Sequence, residues 1–132
     1  MRRSVERFLR AAGLRIPDKR VLERLVEESH LTMPQAEALL IEAAQSIMGR
    51  RMSIEEKARI RGVSKGAYSR TRKQALENIK RSIYTLLLLR LLGILGEGAA
   101  ATIIEAGELL ARGEYGEALS LIESLTPHDI TE

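Results

Sequence analysis

Residues 53–79 read SIEEKARIRGVSKGAYSRTRKQALENI, and the spacing within this stretch decides the fold. Ser53 stands three residues before Glu56. That is the capping-box spacing, in which a hydroxyl takes a backbone N–H and a carboxylate reaches back. A short helix containing Ala58 and Ile60 follows, and Gly62-Val63-Ser64 interrupts it. Glycine adopts positive φ without steric cost, which suits a sharp turn, and Ser64 is placed to cap a second helix. That helix carries Lys65, Ser69, Arg70, Arg72 and Lys73 on or near its accessible face. A short helix, a tight turn and a basic second helix are the parts of a helix–turn–helix that lays its second helix in a DNA groove.

Working outward, Thr32 and Gln35 repeat the capping-box spacing. The apolar stripe Ala36, Leu39, Leu40, Ala43, Ala44 and Ile47 then predicts a helix that stops at Gly49. Upstream, Val5, Phe8, Leu9 and Ala12 predict a first helix over 2–12, ended by Gly13. Ile16-Pro17-Asp18 opens a second, with Val21, Leu22, Leu25 and Val26 as its stripe and Pro17 near its first turn. Downstream, nothing breaks the chain from Lys65 to Leu92, so one helix of up to about seven turns is expected. Its first half is basic, and from Ile83 to Leu92 it is apolar on nearly every side except at Arg90. After Gly93, Gly96 and Gly98, two more helices are expected over 99–112 and 114–125, separated by Gly113 and closed by Thr126-Pro127.

The expected fold is therefore all-α: a helical bundle containing a helix–turn–helix, a long recognition and dimerisation helix, and a C-terminal helical hairpin. Three regions are delimited. Residues 1–30 hold N-terminal helices that pack on the core, 31–92 the DNA-binding part with its extended helix, and 97–127 the hairpin.

The 132 residues suffice for one domain, or one with a small appendage, and 45% apolar content suffices for a core. With only 3% aromatic residues, Leu, Ile and Ala must fill that core. There is no cysteine, and His30 and His128 lie far apart among ordinary polar neighbours, so no metal site is expected. No GxxxxGK[ST] motif occurs, and the glycines at 93, 96 and 98 follow a helical run where a dinucleotide fingerprint needs a strand. Paired acids such as Glu27-Glu28 diverge on a helix, and Ser64 has no nearby histidine to activate it. An enzyme is not expected, nor a cofactor. The N-terminal residues are charged and lack an apolar run, and Ile83–Leu95 is too short to span a bilayer. The expectation is a cytoplasmic protein with no membrane partner.

The formal net charge of +3 hides a segregation. Residues 50–81 hold eleven Lys/Arg against three Glu, a local charge of +8, while residues 82–132 carry −6. The basic third coincides with the candidate DNA reader.

The same residues resemble the helix–turn–helix of region four of bacterial sigma factors and of LuxR-type regulators. The resemblance covers 31–85. It rests on the Leu31-Thr32 helix entry, the Ser53-Ile54-Glu55-Glu56 start, the small Ala58, the Gly62-Val63-Ser64 turn and the Ala75-Leu76 pair. Among these relatives the archaeal Tfx-like transcriptional regulators look nearest, through the basic segment running into Ala75-Leu76-Glu77-Asn78-Ile79. The chain departs from the pattern at Lys57 and Arg61, where the family is usually apolar, and at Thr71. The resemblance implies sequence-specific binding of double-stranded DNA by a transcription regulator. Base or near-base contacts would come from Lys65, Gly66, Ala67, Ser69 and Arg70, with Arg70 placed to read guanine O6 and N7 through two N–H donors. Arg51, Lys57, Arg72 and Lys73, with the N–H groups at the Ser64 cap, would meet phosphates. Tyr68 stands where an apolar core residue is usual, which makes it a packing residue.

Leu86-Leu87-Leu88-Leu89 and Leu91-Leu92 cannot all face one small core. The hairpin and the N-terminal helices are expected to cover part of them. A second copy covers the rest in a two-fold dimer whose interface includes Ile83, Leu86, Leu87, Leu89 and Leu91, with half-sites about 10 bp apart or a multiple. Gly113–Ala118 resembles the turn of a tetratricopeptide repeat, so the hairpin is a candidate surface for a protein partner. The competing reading is a protein-interaction adaptor with a degenerate helix–turn–helix, and a third is binding of structured RNA. The two main readings separate at Lys57 and Arg61: charges turned into intramolecular contacts shrink the basic surface and favour the adaptor.

Overall fold

A computed structural model describes residues 1–125 and is all-α, with seven helices and no strand among them. In chain order these are α1 (Arg3–Ala11), α2 (Lys19–Glu28), α3 (Met33–Met48), α4 (Ile54–Arg61), α5 (Lys65–Leu91), α6 (Glu97–Ala111) and α7 (Tyr115–Ser124). The chain divides into two compact units, Met1–Lys80 and the part from Arg81 onward. The boundary falls inside α5, whereas the sequence places a division in the glycine-rich stretch after Leu92. The expected closing turn at Thr126-Pro127 and His128 lie outside the described residues.

In the first unit, local chemistry sets the helix ends. Thr32 and Gln35 complete the capping box: the Gln35 N–H donates to Thr32 Oγ1, and the Thr32 N–H donates to Gln35 Oε1. Pro34 sits in the first turn of α3, where its missing N–H costs nothing. Asp18, not Pro17, starts α2; its carboxylate accepts the N–H groups of Arg20 and Val21 at 2.9 and 3.2 Å. At α4 only half of the expected box forms. Ser53 Oγ accepts the Glu56 N–H, but the Glu56 carboxylate binds Arg50 at 2.7 Å instead of reaching back.

α3 is the centre of this unit. α1 packs on α3 and α4, α2 on α3, and α3 on α4. Val5 and Leu9 from α1, Ala38, Ile41 and Ala44 from α3, Ala58 from α4 and Tyr68 from α5 form one buried cluster. Tyr68 is the largest side chain fully enclosed there. Its hydroxyl donates to Glu42 Oε2 at 2.9 Å. Burial first, then that bond and the Glu42 charge, push the phenol well above its ordinary value. Two cations join the core. Lys57 is 4% exposed and its ammonium lies 2.9 Å from Glu42, while Arg61 is 6% exposed beside Glu37. Ile54, Lys57, Ala58 and Arg61 stand at i, i+3, i+4 and i+7, the spacing of an inward helical stripe.

In the second unit α6 packs on α7. Leu95, Ala99, Ala106, Leu109 and Ala118 are buried. The Arg90 guanidinium ties the end of α5 to the following loop by donating to the Leu95 carbonyl at 2.9 Å. The expected cover over the apolar half of α5 is missing. Ile83, Tyr84, Leu86, Leu87, Leu88, Leu91 and Leu92 keep from 42% to 83% of their surface exposed, and Leu89 alone among the leucines at 86–92 is half-buried.

Replacing Glu42 with Ala leaves the Lys57 ammonium buried without a partner, so the first unit is expected to lose about 3 kcal/mol of stability. Apolar replacement of both partners should cost far less than the two single changes combined. Chemical denaturation of the two single variants and the double variant measures this coupling.

Candidate nucleic-acid interface

The approach to α5 is fixed by two end motifs. At the close of α4 the Gly62 N–H donates to the Arg59 carbonyl and the Val63 N–H to the Ala58 carbonyl. This is the Schellman arrangement. It requires a left-handed residue, and Gly62 has φ 76°. One residue later the chain re-enters a helix: Ser64 Oγ accepts the Ala67 N–H at 3.1 Å. Tyr68, one turn into α5, is gripped by α3 through its bond to Glu42, with the Ala38 carbonyl 3.5 Å from the hydroxyl. Its burial turns the opposite side of the helix outward.

That outward side carries Gly66, Arg70 and Lys73, all exposed, with Ala67 and Ser69 half-buried at its edges, while Lys65 and Arg72, three and four residues from Tyr68, share its side of the helix, the first exposed and the second half-buried. An added Cβ at Gly66 would meet nothing closer than the Arg70 guanidinium at 3.8 Å, so the backbone here lies open. Ser69, Arg72, Lys73, Leu76, Glu77 and Lys80 line a shallow groove of about 380 Å³ along the same helix. Arg51, ahead of α4, is exposed as well.

Not every predicted residue takes part. Lys57, expected on a phosphate, is turned inward and held by Glu42, and Arg61 is likewise buried against Glu37. Two of the eleven cations in 50–81 are thus internal. By the criterion set in the sequence, this observation falls on the adaptor's side. Arg72 is partly engaged too, with its guanidinium 3.3 Å from Glu42. Lys65 lies 3.0 Å from Glu55 across the turn, and its ammonium holds the exposed Glu55 carboxyl below the usual carboxylate range.

A further cation faces outward: Arg59, exposed on α4. The phase of α4 marks it, because residues 54, 57, 58 and 61 face inward and 55 and 59 must then face out. His30 is exposed, and its backbone carbonyl accepts from Asn78. Among the described residues no group of three or more His, Cys, Asp or Glu could hold a metal ion, and no helix is long and apolar enough to cross a membrane.

The arrangement is chemically simple: a convex basic helix face, guanidinium and ammonium donors pointing outward, and a backbone uncovered at Gly66. Such a face suits phosphate oxygens and base edges. Comparison with models of known families, with curated proteins and with solved structures gives no match.

Proposed function

We propose that this chain binds double-stranded DNA as a helix–turn–helix regulator, with α5 entering the major groove from Lys65. The observation that carries the reading is the outward face of Gly66, Arg70 and Lys73, opposite the buried Tyr68, with Lys65 exposed at the start of the helix. The inward Lys57 and Arg61 reduce the basic surface, yet they also account for the chain's departure from the family pattern. Glu42 and Glu37 supply the partners that allow charges where relatives carry apolar groups. Arg51, Arg59 and Lys73 remain exposed for phosphate contact.

Arg70→Ala is expected to lower affinity for a selected site by roughly 5- to 100-fold while changing affinity for scrambled duplex little, the signature of a base-reading arginine. Lys73→Ala should weaken both duplexes alike and reduce the salt slope by about 1. Gel-shift titrations over a salt series on both duplexes test the pair. Equal losses on the two DNAs for Arg70→Ala remove the base-reading role.

The assembly is a homodimer through the apolar half of α5. Seven large apolar side chains within ten residues, each at least 42% exposed, exceed what a monomer ordinarily leaves to water. A second copy offers the identical, self-complementary patch. Light scattering should give twice the 14.7 kDa chain mass, and Leu87→Glu with Leu91→Glu should return it to 14.7 kDa. A concentration-independent monomer in the unaltered chain ends the dimer reading.

The adaptor reading keeps one specific support, the same exposed patch of α5, which a different protein's helix could also cover. Selection from a random duplex pool separates the two: an enriched palindrome supports the regulator, and no enrichment favours the adaptor. Structured RNA added as competitor distinguishes the third reading.

A further inference from the structure

The N-terminal residues reach across to the turn that launches α5. Arg2 Nη1 donates to the Arg61 carbonyl at 2.6 Å and lies 3.4 Å from the Gly62 carbonyl. Ser4 Oγ donates to the Ile60 carbonyl at 2.7 Å. Three successive carbonyls at the end of α4 are thus met by side chains from the start of the chain. The last turn of a helix leaves its carbonyls without partners and carries partial negative charge, so a guanidinium there is favoured twice over.

The same arginine is anchored from behind. Its backbone N–H donates to Glu37 Oε2 at 2.9 Å, and Glu37 Oε1 lies 3.3 Å from Arg61 Nε. Arg2, Glu37 and Arg61 therefore close a ring joining the N-terminal segment, α3 and the end of α4. A second observation agrees. A Cβ built at Gly62 would lie 3.0 Å from Arg2 Nη1, so the guanidinium occupies the space over the turn that a side chain would need.

The geometry points to Arg2, assisted by Ser4, as a positioning residue for DNA recognition: it locks the turn at Gly62 and so fixes where α5 begins. Arg2 contributes through this lock and not through contact with phosphate. The inference rests on the DNA-binding reading, and its test reports on the two separately. Arg3, its exposed neighbour in the first turn of α1, supplies the control, since Arg3→Ala removes the same charge without touching the turn.

Amide exchange at Gly62 and Val63, measured by nuclear magnetic resonance on the full chain, is expected to quicken about tenfold in Arg2→Ala, the loss of one charge-assisted hydrogen bond. It should stay unchanged in Arg3→Ala and recover partly in Arg2→Lys. Affinity of Arg2→Ala for the selected duplex should fall about tenfold with an unaltered salt slope, because no phosphate contact is lost. Ser4→Ala, a milder lesion, should show the same pattern at smaller size and keeps the test open if Arg2→Ala fails to fold. Unchanged exchange in Arg2→Ala overturns the lock. Faster exchange with unchanged affinity, or a salt slope reduced by about 1, overturns the positioning role. If the unaltered chain binds no duplex while exchange still responds, the DNA reading falls and takes the positioning role with it.

Discussion

One carboxylate joins three helices of the first unit. Glu42, on α3, receives the Lys57 ammonium from α4, the Tyr68 hydroxyl and the Arg72 guanidinium from α5. Ammonium and carboxylate both lose hydration in this arrangement, and mutual attraction offsets that loss only when the geometry is good. The value of the contact therefore lies in direction. A carboxylate accepts its three donors only along limited directions, which restricts how the three helices can meet. Because Tyr68 is one of those donors, the rotation of α5 about its axis, and hence which side chains face out, follows from Glu42.

What was legible in the sequence is local. Thr32 with Gln35, the glycine after Arg61 and the cap at Ser64 announce themselves within four residues, because a helix end needs only its own neighbours to satisfy its backbone. The partners of Lys57 and Arg61 were not legible, since they are acids 15 and 24 positions earlier on α3. Charge alone says that such residues are solvated. Spacing says otherwise, because they fall in the same stripe as Ile54 and Ala58. Here the helical period was the better guide, and the long aliphatic stems make burial tolerable. Glu56 errs the other way: the spacing was right, but Arg50 competes for the carboxylate and wins with a 2.7 Å ion pair.

The basic segment thus divides into charges that build and charges that face outward. Lys57 and Arg61 build; Arg51, Arg59, Arg70 and Lys73 face out; Lys65 and Arg72 are tethered by acids yet remain partly accessible. A local charge of +8 therefore overstates the charge that this surface presents to a partner. If the chain binds DNA as proposed, a cation already paired with a carboxylate would have to exchange that partner for a phosphate, which would lower its share in non-specific affinity relative to the unpaired Arg70.

The second half of α5 carries a different debt to physics. Of its 27 residues only Tyr68 and Ala75 are buried, and both lie in the part belonging to the first unit. Beyond Lys80 the helix keeps its backbone bonds with almost no packing to support them. Helices are marginal in water without an apolar face pressed against something, since propagation gains little per residue. Leu propensity alone adds little beyond that. A run with Leu87, Leu88 and Leu91 more than half exposed is the element that gains most from association, because each buried methylene removes about 0.8 kcal/mol of exposure cost. The helix that presents the basic face thus also holds the chain's least satisfied surface, and covering that surface with a second copy would steady α5 and double the number of basic faces in one step.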